Sequence, residues 1–264
     1  MAIPGCEEMR FMVLGSGSKG NALYIESGQT SILVDAGFSG KELAARMAVH
    51  GKDPGDLNGI FLTHEHGDHI QGAGVLSRRF SLPVYANDGT LTGSEKTVKK
   101  LHKRIEFETG DICQLQDLSI RSFRISHDTN DPVGYLVSDG KHSVACCTDT
   151  GKVSQLISNR LSNCDALILE FNHDPTMLRN GPYPHSLQQR VRSSQGHLAN
   201  EDAATFLQSV VHAKLQHVIL AHLSETNNLP DIAVKCAKEV LAPEQHDILF
   251  VAQQNSPTEL FDLQ

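Results

Sequence analysis

Thr63-His64-Glu65-His66-Gly67-Asp68-His69 places four potential metal ligands, His64, His66, Asp68 and His69, within six residues. The segment follows a short apolar strand pattern, Ile60-Phe61-Leu62-Thr63. Alternate residues of an extended chain point the same way, so His64 and His66 can converge. Asp68 and His69 open the helix pattern Ile70–Arg79, where adjacent side chains diverge by about 100°. One pair facing one cation and the second pair facing another is the natural result. Gly67 is expected to supply the backbone freedom for the change of direction. A solvated polar loop that holds three histidines by chance is the bland alternative, and it does not explain this spacing.

Outward from this segment, strands and helices interleave along the chain. Strand patterns cover Arg10–Leu14, Ala22–Glu26, Ser31–Asp35, Ser119–Ile125, Val133–Val137, His142–Thr148, Ala166–Glu170 and His217–Ala221. Helix patterns cover Gly40–His50, Val153–Arg160, Leu187–Arg192, Glu201–His212 and Asp231–Leu241. Polar clusters recur at strand C-termini. That arrangement predicts an α/β fold with a site built on loops along one edge of the sheets. Residues 1–8 have neither a charged region nor an apolar one, so they read as a flexible N-terminal leader and not a signal peptide. Residues 9–264 read as a single domain.

Composition narrows the class. The chain has 264 residues, 39% hydrophobic and 20% charged, with a formal net charge of −8. Those values fit an ordinary globular domain and argue against a protein coated in positive charge. No window approaches the ~18 apolar residues of a membrane span. Six cysteines without a Cys-x-x-Cys pair read as free thiols in a reducing cytoplasm. Fourteen histidines point toward metal where the spacing agrees.

His64-x-His66-x-Asp68-His69 resembles the metal-binding signature of the metallo-β-lactamase fold superfamily. Other positions match that family in order: Asp35, His127, Asp149 and His222, each just after an apolar strand-like run. Alone, His127 or His222 would be an ordinary structural histidine and Asp149 a helix cap. Their joint placement reverses that. The resemblance implies a four-layer αβ/βα sandwich with two divalent metal ions, zinc, manganese or iron. His64, His66 and His127 would hold the first ion, Asp68, His69 and His222 the second, and Asp149 would bridge them. Asp35 would stand behind the ligands and orient them. True β-lactamases carry Cys or Ser where Asp149 stands, and oxygen-reducing di-iron relatives carry Glu at the position of His66.

Further stretches resemble the YycJ/WalJ-type branch of metal-dependent nucleases: Leu14–Asn21, Leu169–Asp174, Gly181-Pro182-Tyr183-Pro184, Arg190, Gly196–Asn200 and His222–Asn228. Gly196-His197-Leu198-Ala199-Asn200 also resembles the stretch that carries the proton-donor histidine of ribonuclease Z, with Glu170 in the place of its acid partner. Gly15–Asn21 is either a cradle of backbone N–H groups for a phosphate, with Ser16, Ser18 and Asn21 in contact, or a tight turn. His173 is a further candidate for substrate contact. Lys96–Arg104 carries five basic residues and is either a track for a nucleic-acid backbone or a solvated helix end.

The resemblance implies a phosphodiesterase acting on nucleic acid, with a DNA exonuclease preferred over an RNA-directed enzyme. A metal-held hydroxide would attack phosphorus, Asp68 would orient and deprotonate it, and His197 held by Glu170 would protonate the leaving oxygen. A small-molecule metallohydrolase for a thioester, lactone, cyclic nucleotide or β-lactam is the alternative. A non-catalytic metal-binding regulatory protein is the third reading. No membrane partner is expected, and the sequence leaves the oligomeric state open.

Overall fold

In the computed structural model, which describes residues 8–264, period-two alternation sorts the strands between two interiors. The leader expected over residues 1–8 lies, apart from Glu8, outside the described residues. The first half contains β1 (Arg10–Gly15), β2 (Ala22–Ser27), β3 (Thr30–Val34), α1 (Gly40–Ala48), β4 (Gly59–Phe61), α2 (Gly67–Ile70), α3 (Ala73–Phe80), β5 (Pro83–Ala86), α4 (Asp88–Val98) and β6 (Lys103–Glu106). The second contains β7 (Ile112–Leu115), β8 (Leu118–Arg124), β9 (Val133–Ser138), β10 (Ser143–Cys147), α5 (Gln155–Leu161), β11 (Ala166–Glu170), α6 (Pro175–Asn180), α7 (His185–Val191), α8 (Asn200–Val210), β12 (His217–Ala221), α9 (Pro230–Val240), β13 (Leu249–Val251) and β14 (Phe261–Asp262).

The strands form two seven-stranded sheets, ordered β14-β1-β2-β3-β4-β5-β6 and β13-β12-β11-β10-β9-β8-β7. Phe11, Val13, Ile32 and Val34 of the first sheet share one interior with Val144, Cys146, Ile168 and Ile219 of the second. The alternate residues face outward and meet helices. Met12, Leu14 and Leu33 pack with Leu43, Leu76 and Leu91, from α1, α3 and α4. Leu167, Leu169, Val218 and Leu220 pack with Ile157, Phe206, Leu207 and Ala233, from α5, α8 and α9. The central strands are therefore buried on both faces and read as continuous apolar runs. Each such side chain contributes about 1.5–3 kcal/mol. The result is the four-layer αβ/βα sandwich.

Several boundaries shift for local reasons. The expected helix Ile70–Arg79 is split into α2 and α3 at Gly72, whose N–H donates to Ala36 O at 2.7 Å. Asp174-Pro175 starts α6. Asp174 caps it by accepting from Met177 N at 2.7 Å, and proline fits the first helical turn. The basic stretch at 96–104 begins as the solvated end of α4, one of its two expected forms. It passes from the end of α4 into β6, the edge strand of the first sheet. Arg104 there is matched by Asp88, Glu95 and Glu106, and Arg78 caps α4 through Val98 O and Lys100 O.

Two glycines near the ligand loop behave oppositely. Gly37 ties the end of the first hairpin to that loop: its N–H donates to Asn21 O, and Asn21 N donates to Asp68 O at 2.8 Å. A Cβ on Gly37 would lie 1.7 Å from Asp68 O, a backbone atom with no room to yield. A Cβ on Gly67 would meet nothing within 4 Å, and Gly67 is not among the positive-φ glycines. The freedom expected of Gly67 is therefore not needed, and the turn is set by the neighbours of Gly37. Gly37→Ala is expected to cost about 1–3 kcal/mol, several degrees in Tm, while Gly67→Ala stays within about 0.5 kcal/mol, both read by thermal unfolding.

Candidate metal centre

Strand ends from both sheets converge on one edge. Asp35 follows β3, His64 follows β4, Asp149 follows β10 and His222 follows β12. Asp35, Asp149 and His222 adopt left-handed backbone conformations, with φ of 62°, 57° and 55°. Such residues cost on the order of 1 kcal/mol each and persist where the surroundings over-determine them. Each turns the chain sharply out of its strand and throws its side chain across the sheet edge.

The ligand atoms of His64, His66 and His127 lie within 4.8 Å of one another, as do those of Asp68, His69 and His222. Asp149 stands between the two sets. Its Oδ2 is 3.4 Å from His69 Nε2, and its Oδ1 is 3.4 Å from His222 Nε2 and 4.0 Å from His127 Nε2. Four histidines are aimed by their outer nitrogens. His69 Nδ1 donates to Asp35 Oδ2 at 2.7 Å, His127 Nδ1 to Gly196 O at 3.2 Å and His222 Nδ1 to Glu170 Oε1 at 3.2 Å. His64 Nδ1 lies 3.0 Å from Thr63 Oγ1, which itself donates to Asp35 Oδ2 at 2.8 Å. This outer layer directs each Nε2 at the centre, as ligating histidines require.

The chemistry of the donor set fits a divalent cation. His64 Nε2, His222 Nε2 and Asp149 Oδ2 are buried and have no hydrogen-bond partner in the structure. An unpaired buried polar atom costs about 1–3 kcal/mol, which a bound cation would remove. Burial, helped by the surrounding histidines, holds His64 well below its ordinary value, so its lone pair is free. Burial opposes charge on His69, but Asp149, Asp35 and Asp68 overcome it and push this imidazole up to about 9. Burial likewise opposes ionisation of Asp149, yet His222 and His69 hold its carboxyl low. The site thus holds negative charge seeking a positive partner. The described cysteines are unpaired, and none belongs to a ligand set. Burial raises the thiols of Cys146 and Cys147, which keeps them protonated.

Glu170 and His197 come together at this edge. His197 Nδ1 donates to Glu170 Oε1 at 2.7 Å. His197 lines a cleft of about 390 Å³ beside His66, Asp68, His127, Asp149 and His222. The remaining candidates separate. Ser18 lines the cleft, whereas Ser16 and Asn21 lie behind the ligands. Ser16 Oγ accepts from His222 N at 2.8 Å, and Asn21 Nδ2 is 3.1 Å from His69 Nε2. The N–H groups of Ser16, Gly17, Lys19, Gly20 and Asn21 are taken by Gln253 O, Asn21 Oδ1, Gln254 Oε1, Gly17 O and Asp68 O. Gly15–Asn21 is therefore a tight turn and not a phosphate cradle. His173 does not line the cleft; burial pushes its imidazole down to about 4. Sequence reasoning missed Thr63, Asp128 and Asn172. Thr63 and Asp128 were signalled by adjacency to a candidate ligand, and Asn172 by its place in the quoted stretch Leu169–Asp174.

A family model described as a beta-lactamase superfamily domain matches residues 30–223. Exodeoxyribonuclease YycJ of Bacillus anthracis is 40% identical over 235 residues, covering 88% of this chain and 89% of that protein. Exodeoxyribonuclease WalJ of Streptococcus pneumoniae is 38% identical over 229 residues, covering 85% of each. The chain belongs to the β-lactamase superfamily, in its YycJ and WalJ branch. Among solved structures, the metallo-β-lactamase fold protein YhfI from Bacillus subtilis superposes with a TM-score of 0.74 at 21% identity, over 95% of this chain and 99% of that one. The shared superfamily fold accounts for the meeting of ligands from both halves at one sheet edge. Asp35 is the test of its outer layer. Asp35→Asn puts an amide where two donors arrive, from Thr63 and His69. It is expected to weaken metal binding about 10–100-fold, measured by competition with a chromogenic chelator.

Proposed function

We propose that this superfamily member is a dinuclear metal-dependent phosphodiesterase that shortens DNA from an end. The observation that carries this reading is the placement of His197, held by a buried glutamate, beside two abutting ligand sets. His64, His66 and His127 would hold one divalent ion and Asp68, His69 and His222 the other, with Asp149 reaching both. Zinc, manganese or iron suits these donors. The chemistry such a pair supplies is Lewis-acid polarisation of phosphoryl oxygens and activation of water.

The chain's own groups supply the rest. Burial would raise the Asp68 carboxyl, but His69 and His222 hold it well below the usual range. It therefore stays ionised and accepts a hydrogen bond from the attacking water, fixing its direction. Glu170 fixes His197 through Nδ1–H, so the opposite nitrogen carries the proton handed to the leaving oxygen. DNA as substrate is supported by the exodeoxyribonuclease names of the two relatives at 38–40% identity. Unpaired cysteines support a reducing cytoplasm as the compartment. No helix among the described residues is long and apolar enough to cross a membrane.

The direct test incubates the purified chain with end-labelled double-stranded DNA, single-stranded DNA and RNA, each with Mn²⁺ or Zn²⁺, beside Asp149→Ala. Progressive shortening of DNA, reduced at least about 100-fold in the variant, is expected. A metal-loaded chain that cuts no polymer overturns the nuclease reading in favour of small esters. A second measurement isolates His197. His197→Ala is expected to slow a diester with an alkoxide leaving group by about 10²–10⁴-fold and a p-nitrophenyl diester far less, since p-nitrophenolate barely needs a proton. Equal losses on both would remove His197 as the proton donor.

A further inference from the structure

α7 has no buried side chain, alone among the α-helices of the described residues. Such a helix is not explained by core packing. Tyr183, just before it, and Leu187, Arg190 and Val191 within it are spaced three and four apart, so they form one stripe. All four line the cleft over the ligand sets. The apolar part of the stripe thus faces neither hydrophobic core but the place a substrate occupies. At the C-terminal end of α7, Val191 O accepts a hydrogen bond from His197 N at 2.9 Å. The helix therefore lies on the side toward which the leaving group departs.

Arg190 gives this wall its charge. Its Nε donates to Asp128 Oδ2 at 2.5 Å. Its two terminal nitrogens have no partner among the described residues. Its side chain is 56% exposed, and that of Asp128 is 29% exposed. Asp128 follows the ligand His127 directly, so the guanidinium is tethered at the rim of the cleft with its outer edge open. That edge matches the bidentate geometry of a phosphate. On a chain of net charge −8, with Lys96–Arg104 outside the cleft, a polyanionic strand needs such a local contact.

We propose that α7 is the binding wall for the nucleotide on the leaving-group side of the scissile bond. Arg190 grips the next, non-scissile phosphate of that strand, and Tyr183, Leu187 and Val191 pack against the sugar and base between. This inference rests on the nuclease reading above and adds to it a residue that distinguishes a polymer from a small diester. Arg190 is exposed and Tyr183, Leu187 and Val191 are half-buried, and none of them belongs to a hydrophobic cluster, so changing them leaves the cores intact.

The test compares wild type, Arg190→Ala, Arg190→Lys and Asp128→Asn on end-labelled DNA across a salt series and on bis(p-nitrophenyl) phosphate, which has no second phosphate. Arg190→Ala is expected to raise KM for DNA about tenfold, with the change in KM and not in kcat. The loss of kcat/KM on DNA should exceed that on the small diester at least about fivefold, and the salt slope of log KM should fall by about 1. Arg190→Lys should recover part of the loss, because it keeps the charge and loses the fork. Asp128→Asn removes the opposing charge while its amide oxygen can still accept from Arg190 Nε, and it should lower KM for DNA. Equal losses on both substrates in Arg190→Ala would overturn the proposal. So would an Asp128→Asn variant that matches Arg190→Ala, since Arg190 would then act only as a tether. A wild type that cleaves the small diester but not DNA defeats the nuclease reading itself, and this wall with it.

Discussion

One buried carboxylate joins three distant segments at the ligand edge. Glu170 ends β11 and accepts four hydrogen bonds: from Thr150 N at 3.0 Å, Leu198 N at 3.1 Å, His197 Nδ1 at 2.7 Å and His222 Nδ1 at 3.2 Å. Each of these positions a different group. Thr150 follows Asp149, which stands between the two candidate ligand sets, Leu198 follows His197, and His222 belongs to one of those sets. Burial works against the charge on Glu170, but His197 and His222 overcome it and hold the carboxyl well below its usual range. A neutral or shortened side chain here would release the segment after Asp149, His197 and His222 together. Asp35 has the corresponding role in the first half, where its two oxygens collect Thr63 N, Thr63 Oγ1 and His69 Nδ1. Each half of the sandwich thus carries one acid that aims its own ligands.

The fold was legible because its strands are short, apolar and evenly interrupted by helix patterns. β1, β2, β10, β11 and β12 appear in the sequence within a residue or two of their observed ends, since burial on both faces leaves few polar residues inside them. β6, β7, β13 and β14 did not appear. The first reads Lys-Arg-Ile-Glu, and an edge strand with one solvated face carries charge that hides its period. β13 and β14 have three and two residues, too few for any period to show.

The candidate ligands that the structure brings together were legible for a different reason. Four are adjacent in one turn, and the rest share a local rule: a polar residue directly after a buried strand. What the sequence could not give is which side chains stand behind them. Ser16, Asn21 and Thr63 are chemically able to touch a substrate, and only the three-dimensional register shows them spent on His222, His69 and Asp35. The same holds for the N–H groups of Gly15–Asn21. A cradle and a turn have the same composition, and partners contributed by Gln253 and Gln254, more than 200 residues away, decide between them.

The arrangement has an energetic consequence for the chain as a whole. Asp35, Asp149 and Glu170 are each at most 3% exposed, and His64 Nε2 and His222 Nε2 are buried without a partner among the described residues. Three residues at the same edge hold left-handed backbone conformations. These features oppose folding, and the offset comes from the apolar layers on either side of each sheet. The sandwich is therefore stable enough to hold a locally unfavourable edge, and cation binding relieves that edge without moving the layers. At a free cation concentration one hundred times its dissociation constant, one site would add about 2.7 kcal/mol to the stability of the folded chain. A chelator should then lower Tm while the secondary structure of the folded chain stays the same, because the ligands are positioned by their outer hydrogen bonds before any cation arrives.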